Sequence, residues 1–203
     1  MITIINYGMG NLGSIANMIK RSGHSSEITS EISKIESAKK IILPGVGHFD
    51  KAMQNFVALG LLNVIRKKAL EDKTPMLGIC LGMQIMCKNS EEGKEEGFGL
   101  IDAEVKKFSF SENQKQNIPH MGWNTIDIIK PNPLISYEEE EQRFYFVHSY
   151  HTVCNNQQDV LATTHHGYEI TAAFSRDNIF GVQFHPEKSH HYGLALIKKF
   201  IEL

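Results

Sequence analysis

The sequence predicts an α/β fold with a mainly parallel central sheet, flanked by helices and extended by antiparallel strands. Short β-rich runs alternate with segments of helical period through the first half of the chain. The second half carries strand-like runs separated by polar turns. The chain has 203 residues, of which 41% are hydrophobic, enough to cover both faces of such a sheet within one domain, 1–203.

Ile2 to Ile5 reads as a buried strand, and Leu12, Ile15, Ala16 and Ile19 follow the spacing of one helix face. Lys40 to Leu43 gives another strand. Met53, Phe56, Val57, Leu61, Leu62, Ile65 and Ala69 indicate helical material. Pro75 to Ile79 is a third strand, running into Gly78-Ile79-Cys80-Leu81-Gly82 and the apolar helical run Met83 to Met86. The antiparallel material is assigned to Leu100 to Phe108, Asn124 to Ile129, Arg143 to Val147, Val160 to Thr164, Ile170 to Phe174 and Ile179 to Phe184. A last helix spans about His191 to Leu203, with Leu194, Ile197 and Ile201 on one face.

Composition excludes several function classes. With 21 Lys and Arg against 23 Asp and Glu, the net charge of −2 leaves no basic excess to attract nucleic acid or an anionic membrane. No apolar run reaches the roughly 18 residues of a membrane span, and the start has neither a basic segment nor a cleavage site, so an unprocessed, soluble chain is expected. Cys80, Cys87 and Cys154 are odd in number and lack a C-x-x-C spacing, which argues against a disulfide framework or a zinc site and suits a reducing cytoplasm. The acidic run Glu138 to Glu141 reads as a solvated loop, and His165-His166 and His190-His191 as surface residues rather than metal ligands. No metal and no cofactor are expected.

Four motifs could carry chemistry. Gly78-Ile79-Cys80-Leu81-Gly82 places Cys80 on a tight strand-to-helix turn, where small neighbours accommodate a strained backbone and the helix N-terminus favours a thiolate. A buried core cysteine is the alternative. In Phe184-His185-Pro186-Glu187, two residues of extended chain put His185 and Glu187 on one side, so that the carboxylate orients an imidazole able to take a proton from Cys80. Pro44-Gly45-Val46-Gly47 follows a strand, and its glycines allow a backbone N–H at Val46 to hold a developing oxyanion together with the N–H of Leu81. A plain strand-ending turn is the alternative there. Gly8-Met9-Gly10-Asn11-Leu12-Gly13 fits G-x-G-x-x-G, with Glu27 or Glu31 near the distance of a ribose-binding acid, which raises a dinucleotide-binding oxidoreductase as a rival. Against it, Gly23 to Thr29 is polar and short for the required second strand, and Cys80, His185 and Glu187 go unexplained.

Six segments, taken in order, carry a resemblance: Tyr7 to Leu12, Leu43 to Phe49, Leu77 to Gln84, Pro119 to Asn124, Tyr145 to Tyr150 and Phe184 to Ser189. They resemble the glutaminase subunits of imidazole glycerol phosphate synthase, which are triad-type class I glutamine amidotransferases, over essentially the whole chain. The cysteine and histidine motifs mark the wider class, and Pro119 to Asn124 points to this branch. The resemblance implies the class I glutamine amidotransferase fold, hydrolysis of glutamine to glutamate and ammonia, and transfer of ammonia to a separate (β/α)8-barrel cyclase subunit in a heterodimer.

In that pattern Cys80 attacks the amide, His185 relays the proton, Glu187 orients His185, and Val46 and Leu81 form the oxyanion hole. Gly47, Gln84, Glu92 and the backbone of Ser149 and Tyr150 hold the glutamine. Asn11, Met121, Trp123, Tyr145 and Lys188 match positions facing the cyclase, although Trp123 read from the residues alone fits a core indole equally well. Gly13, Ile101-Asp102-Ala103 and Ser189-His190-His191 depart from the commonest pattern and resemble a branch whose ammonia serves surface-sugar synthesis.

Overall fold

The computed structural model describes residues 1–112, 116–135 and 141–203. Its first half contains β1 (Ile2–Ile5), α1 (Leu12–Arg21), β2 (Ser26–Thr29), α2 (Ile32–Glu36), β3 (Ile41–Gly45), α3 (Phe49–Ala58), α4 (Leu62–Leu70), β4 (Met76–Cys80) and α5 (Leu81–Ile85). Then come β5 (Asn89–Ser90), β6 (Ala103–Lys107), β7 (His120–Thr125), β8 (Asp127–Ile128), β9 (Arg143–His148) and β10 (Tyr150–Cys154). The last elements are β11 (Val160–His166), β12 (Tyr168–Arg176), β13 (Ile179–Val182) and α6 (His190–Glu202).

Among the described residues, the main sheet has eight strands in the order β2-β1-β3-β4-β13-β12-β11-β8. Pairing is parallel from β2 to β13 and antiparallel from there to β8. The mainly parallel α/β fold expected from the sequence is therefore present. Side chains alternate across the sheet, as the two-residue period of a strand requires. Ile5, Ile41, Leu43 and Met76 pack with α2, α3 and α4 on one face. On the other, Ile4, Ile42, Leu77 and Ile79 pack with α1 and α6, whose Ile15, Ile19, Ile197 and Phe200 are buried.

Several expectations are corrected. Ser26 to Thr29 is a strand despite its polarity, because it lies at the sheet edge, where only one neighbour and one face must be satisfied. Asn124 to Ile129 is not one strand: β7 pairs with β9 in a separate two-stranded sheet, and β8 joins the main sheet beside β11. Ile179 to Val182 belongs to the parallel core, since β13 runs parallel to β4. The helical material after β3 is two helices, broken at Gly60 with φ +67°. Residues 138–140 of the acidic run lie outside the described residues. His165, His190 and His191 are exposed, whereas His166 is half-buried and stacks on His120 at 4.2 Å, so that one is not a plain surface residue. No helix of the described residues is long and apolar enough to cross a membrane.

Because β3, β4 and β13 are parallel neighbours, their C-terminal ends lie on one edge. Gly45 pairs with Cys80 and Val182 with Ile79. Three distant stretches of sequence thus end side by side at the position where open α/β sheets bind ligands.

Candidate active site

Cys80 closes β4 and caps α5 with φ +53° and ψ −110°, a conformation that non-glycine residues rarely hold. Such a turn forces the next helix against the neighbouring strand. A Cβ on Gly82 would sit 1.7 Å from the carbonyl oxygen of Leu43, so glycine is required there. This is the strained strand-to-helix turn that the sequence indicated. The other two cysteines differ: burial pushes the thiol of Cys87 well up and that of Cys154 up to about 12, and neither lines the cavity described below.

His185 follows the end of β13, and its Nδ1 lies 2.8 Å from Oε1 of Glu187. The route differs from the extended dipeptide expected. His185 itself is extended, but Pro186 to Lys188 form a 3-10 turn that swings Glu187 back under the ring. Burial disfavours charge on His185, yet the neighbouring Cys80 and Glu187 outweigh it and raise its pKa to about 10. Among the described residues, Nε2 of His185 has no hydrogen-bond partner.

A cavity of about 330 Å3 joins these groups. Val46, Gly47, Cys80, Leu81, Gln84, Glu92, Ser149, Tyr150 and His185 all line it, so residues 139 positions apart in sequence at the extremes, Val46 and His185, meet here. Gly47 adopts φ +111° just after β3, and the Tyr7 hydroxyl donates to the Pro44 carbonyl at 2.6 Å, anchoring the start of that turn. Glu92 accepts from the backbone N–H of Phe49 at 2.8 Å. Gln84 donates from Nε2 to the Tyr150 carbonyl at 3.0 Å and to Oε1 of Gln183 at 3.1 Å.

Sequence reasoning missed Pro119, Val147 and His148, which also line the cavity. It also missed Gln183, whose Nε2 donates to the Cys80 sulfur at 3.7 Å. A glutamine interrupting the apolar run Ile179 to Phe184, two residues before His185, was the available signal for the last of these.

The remaining five candidates lie elsewhere. Trp123 and Tyr145 are cross-strand partners in β7 and β9, Lys188 sits 5.4 Å from the Tyr145 ring, and Trp123 stacks on His190 at 5.4 Å. Met121 and Trp123 are 61% and 45% exposed, which excludes the core reading of the indole. Asn11 precedes α1, whose residues contact the 3-10 turn of Pro186 to Lys188. Tyr145 also links this surface to the triad, since its carbonyl accepts from the backbone N–H of His185 at 2.8 Å. As for the rival G-x-G-x-x-G reading, each of its two alternative acids is paired with Lys34, Glu27 at 2.7 Å and Glu31 at 3.4 Å.

A nucleophile beside a carboxylate-bound histidine, at the C-terminal edge of a parallel sheet, defines an acyl-transfer site. The family model for class-I glutamine amidotransferases matches residues 3–203, and the chain belongs to that family. Solved structures agree on the fold. PurLQS from Thermotoga maritima superposes with a TM-score of 0.75 at 18% identity, covering 99% of this chain and 97% of that one.

Among curated proteins, the chain is 50% identical to imidazole glycerol phosphate synthase subunit HisH 2 of Methanococcus maripaludis, over 100% of this chain and 99% of that protein. It is 44% identical to the subunit HisH 2 of Pseudomonas aeruginosa and to the subunit HisH of Leptospira interrogans, over the full length of each chain. Within the class-I family it is therefore a member of the HisH branch.

Proposed function

We propose that the chain is the glutaminase subunit of an imidazole glycerol phosphate synthase, one glutamine amidotransferase domain over 1–203, acting in the cytoplasm. It hydrolyses glutamine to glutamate and ammonia and passes the ammonia to a (β/α)8-barrel cyclase subunit in a heterodimer. The observation that carries this is the shared cavity, with Cys80 and His185 in its wall and Glu187 bonded behind His185.

The Cys80 sulfur, as thiolate, attacks the side-chain carbonyl carbon of glutamine. The backbone N–H groups of Val46 and Leu81 receive the negative charge that develops on the oxygen. His185, held cationic by its neighbours, gives its Nε2 proton to the departing nitrogen as the C–N bond breaks, leaving a thioester and ammonia. Water then attacks the thioester, His185 takes a proton from it, and glutamate and the thiolate are regenerated. The steps balance as glutamine plus water to glutamate, ammonia and one proton, which the product carboxyl gives up, with no electron transfer. Gly47, Gln84, Glu92 and the Ser149–Tyr150 backbone bind the glutamine. Asn11, Met121, Trp123, Tyr145 and Lys188 face the partner.

A second acceptor is favoured by specific residues. Gly13, Ile101 to Ala103 and Ser189 to His191 resemble a branch of the same family whose ammonia serves a sugar amidotransferase of surface-glycan synthesis. Reconstitution with a barrel partner separates the two. Formation of imidazole glycerol phosphate from glutamine, together with histidine auxotrophy on deletion, is the expected result. A deletion strain that grows without histidine, holds no second copy and loses a surface glycan moves the acceptor to the sugar pathway.

A further inference from the structure

Away from the triad, a chain of hydrogen bonds joins the exposed strand β7 to the cavity wall. It ends at the carbonyl of Tyr150, which accepts from His148 Nδ1 at 2.7 Å as well as from Gln84. A carbonyl only accepts, so His148 carries a proton on Nδ1. Its Nε2 lies 3.0 Å from Nδ1 of His120. In a neutral His148 that Nε2 is bare, so His120 is the donor, again from Nδ1.

The remaining nitrogen of His120 then accepts from Asn124 Nδ2 at 3.2 Å. The orientation of Asn124 is fixed independently: the same Nδ2 donates to the His165 carbonyl at 2.9 Å, and its Oδ1 accepts from the Thr125 N–H at 2.9 Å. Every bond therefore runs one way, from Asn124 through His120 and His148 to Tyr150. Burial lowers the pKa of both imidazoles, to about 4 for His120, in keeping with two neutral rings. His120 is also clamped between the rings of Phe146 at 4.7 Å and His166 at 4.2 Å.

The alternation of β7 gives this chain its place. Met121 and Trp123 point to the exposed side of the strand, while His120 and Asn124 occupy the other. One strand thus carries an open apolar surface on one face and the origin of the hydrogen-bond chain on the other. We propose that His120 and His148 are positioning residues that hold the Ser149–Tyr150 wall of the glutamine cavity in register with β7. The proposal rests on the glutaminase reading above.

The test uses the chain with its barrel partner. His120→Phe keeps a ring between Phe146 and His166 but removes the donor to His148. The KM for glutamine is expected to rise about tenfold, with kcat changed less than about threefold, because the lost bond shapes binding rather than the reacting atoms. His120→Asn, whose amide nitrogen replaces Nδ1, restores most of the affinity. Long-range proton–nitrogen NMR of the labelled wild type at pH 7 should show His120 and His148 both neutral with the proton on Nδ1.

A proton on Nε2 of a neutral ring, or a charged ring at either position, overturns the proposal even if the variants fail to fold. An unchanged KM in folded His120→Phe, with an active wild type, overturns the positioning role alone. A wild type that does not hydrolyse glutamine overturns the glutaminase reading, and the positioning role with it.

Discussion

Oε1 of Glu187 lies 2.8 Å from Nδ1 of His185, with both side chains 2% exposed. A buried imidazole alone would lose its proton more readily than in water, but Cys80 and Glu187 reverse this and bring the His185 pKa to about 10. The cation is thus the resting form at neutral pH. Its contribution to stability is complete below the ordinary histidine pKa of about 6.5 and fades as pH rises through about 10.

Glu187→Gln removes one of the two groups that raise this pKa. The alkaline limb of kcat/KM should move from near pH 10 to lower pH, and kcat at pH 7 should fall about 100-fold through misorientation of the ring. Rate profiles over pH 6 to 11 measure both. A limb that stays in place would show that Glu187 does not set the charge of His185.

Replacing the nucleophile should separate the two halves of the reaction. Cys80→Ala leaves nothing to form the thioester, so synthesis from glutamine by the complex should be lost, by about 10⁴-fold or more. Synthesis from added ammonium salt should persist, since it bypasses the cavity. Near-wild-type rates from glutamine in this variant would remove Cys80 from the mechanism.

The geometry of the candidate site was legible in the sequence where strained turns leave local signatures. Gly78-x-Cys80-x-Gly82 announces the turn, since the α5 backbone passes too close to Leu43 for a side chain at Gly82. His185 and Glu187 were readable as a pair, but the path between them was not. Pro186 can open a 3-10 turn as readily as it can extend a strand, and the packing of the following α6 decides. Edge strand β2 escaped notice because Ser26 and Glu27 do not alternate with apolar residues in the way a half-buried strand does. The direction of β13 was likewise hidden. Its fully buried run is compatible with either pairing, and it is parallel to β4 because the tight hairpin from β12 inserts it, antiparallel to β12, between that strand and β4. The histidine chain of β7 and β9 depends on cross-strand register, His120 opposite His148, which no local pattern encodes.

Trp123 should be an energetic anchor for the partner. Its indole is 45% exposed, stacks on the exposed ring of His190, meets Tyr145 edge-on, and stands beside Met121 at 61% exposure. Trp123→Ala should weaken the heterodimer by at least about 2 kcal/mol while the isolated chain keeps its fold. Calorimetric titration and circular dichroism measure the two effects separately. Loss of the folded signal would return the indole to a structural role.

The last prediction isolates backbone strain from chemistry at Cys80. With φ +53° and ψ −110°, the residue lies outside the regions open to side-chain-bearing residues, and such conformations cost about 1–3 kcal/mol when a Cβ is present. Glycine adopts positive φ without that penalty, although its unfolded chain gains roughly 0.5–1 kcal/mol of extra conformational freedom relative to alanine. Neither Cys80→Ala nor Cys80→Gly retains the sulfur that accepts from Gln183, so that loss cancels when the two variants are compared. The strain term exceeds the entropy term, and Cys80→Gly should be the more stable of the two by about 1 kcal/mol, with both inactive on glutamine. Equilibrium urea denaturation of the two variants measures the difference directly. If Cys80→Ala proves the more stable, the turn carries no strain at Cys80, and the case for a nucleophile held in a tense backbone fails with it.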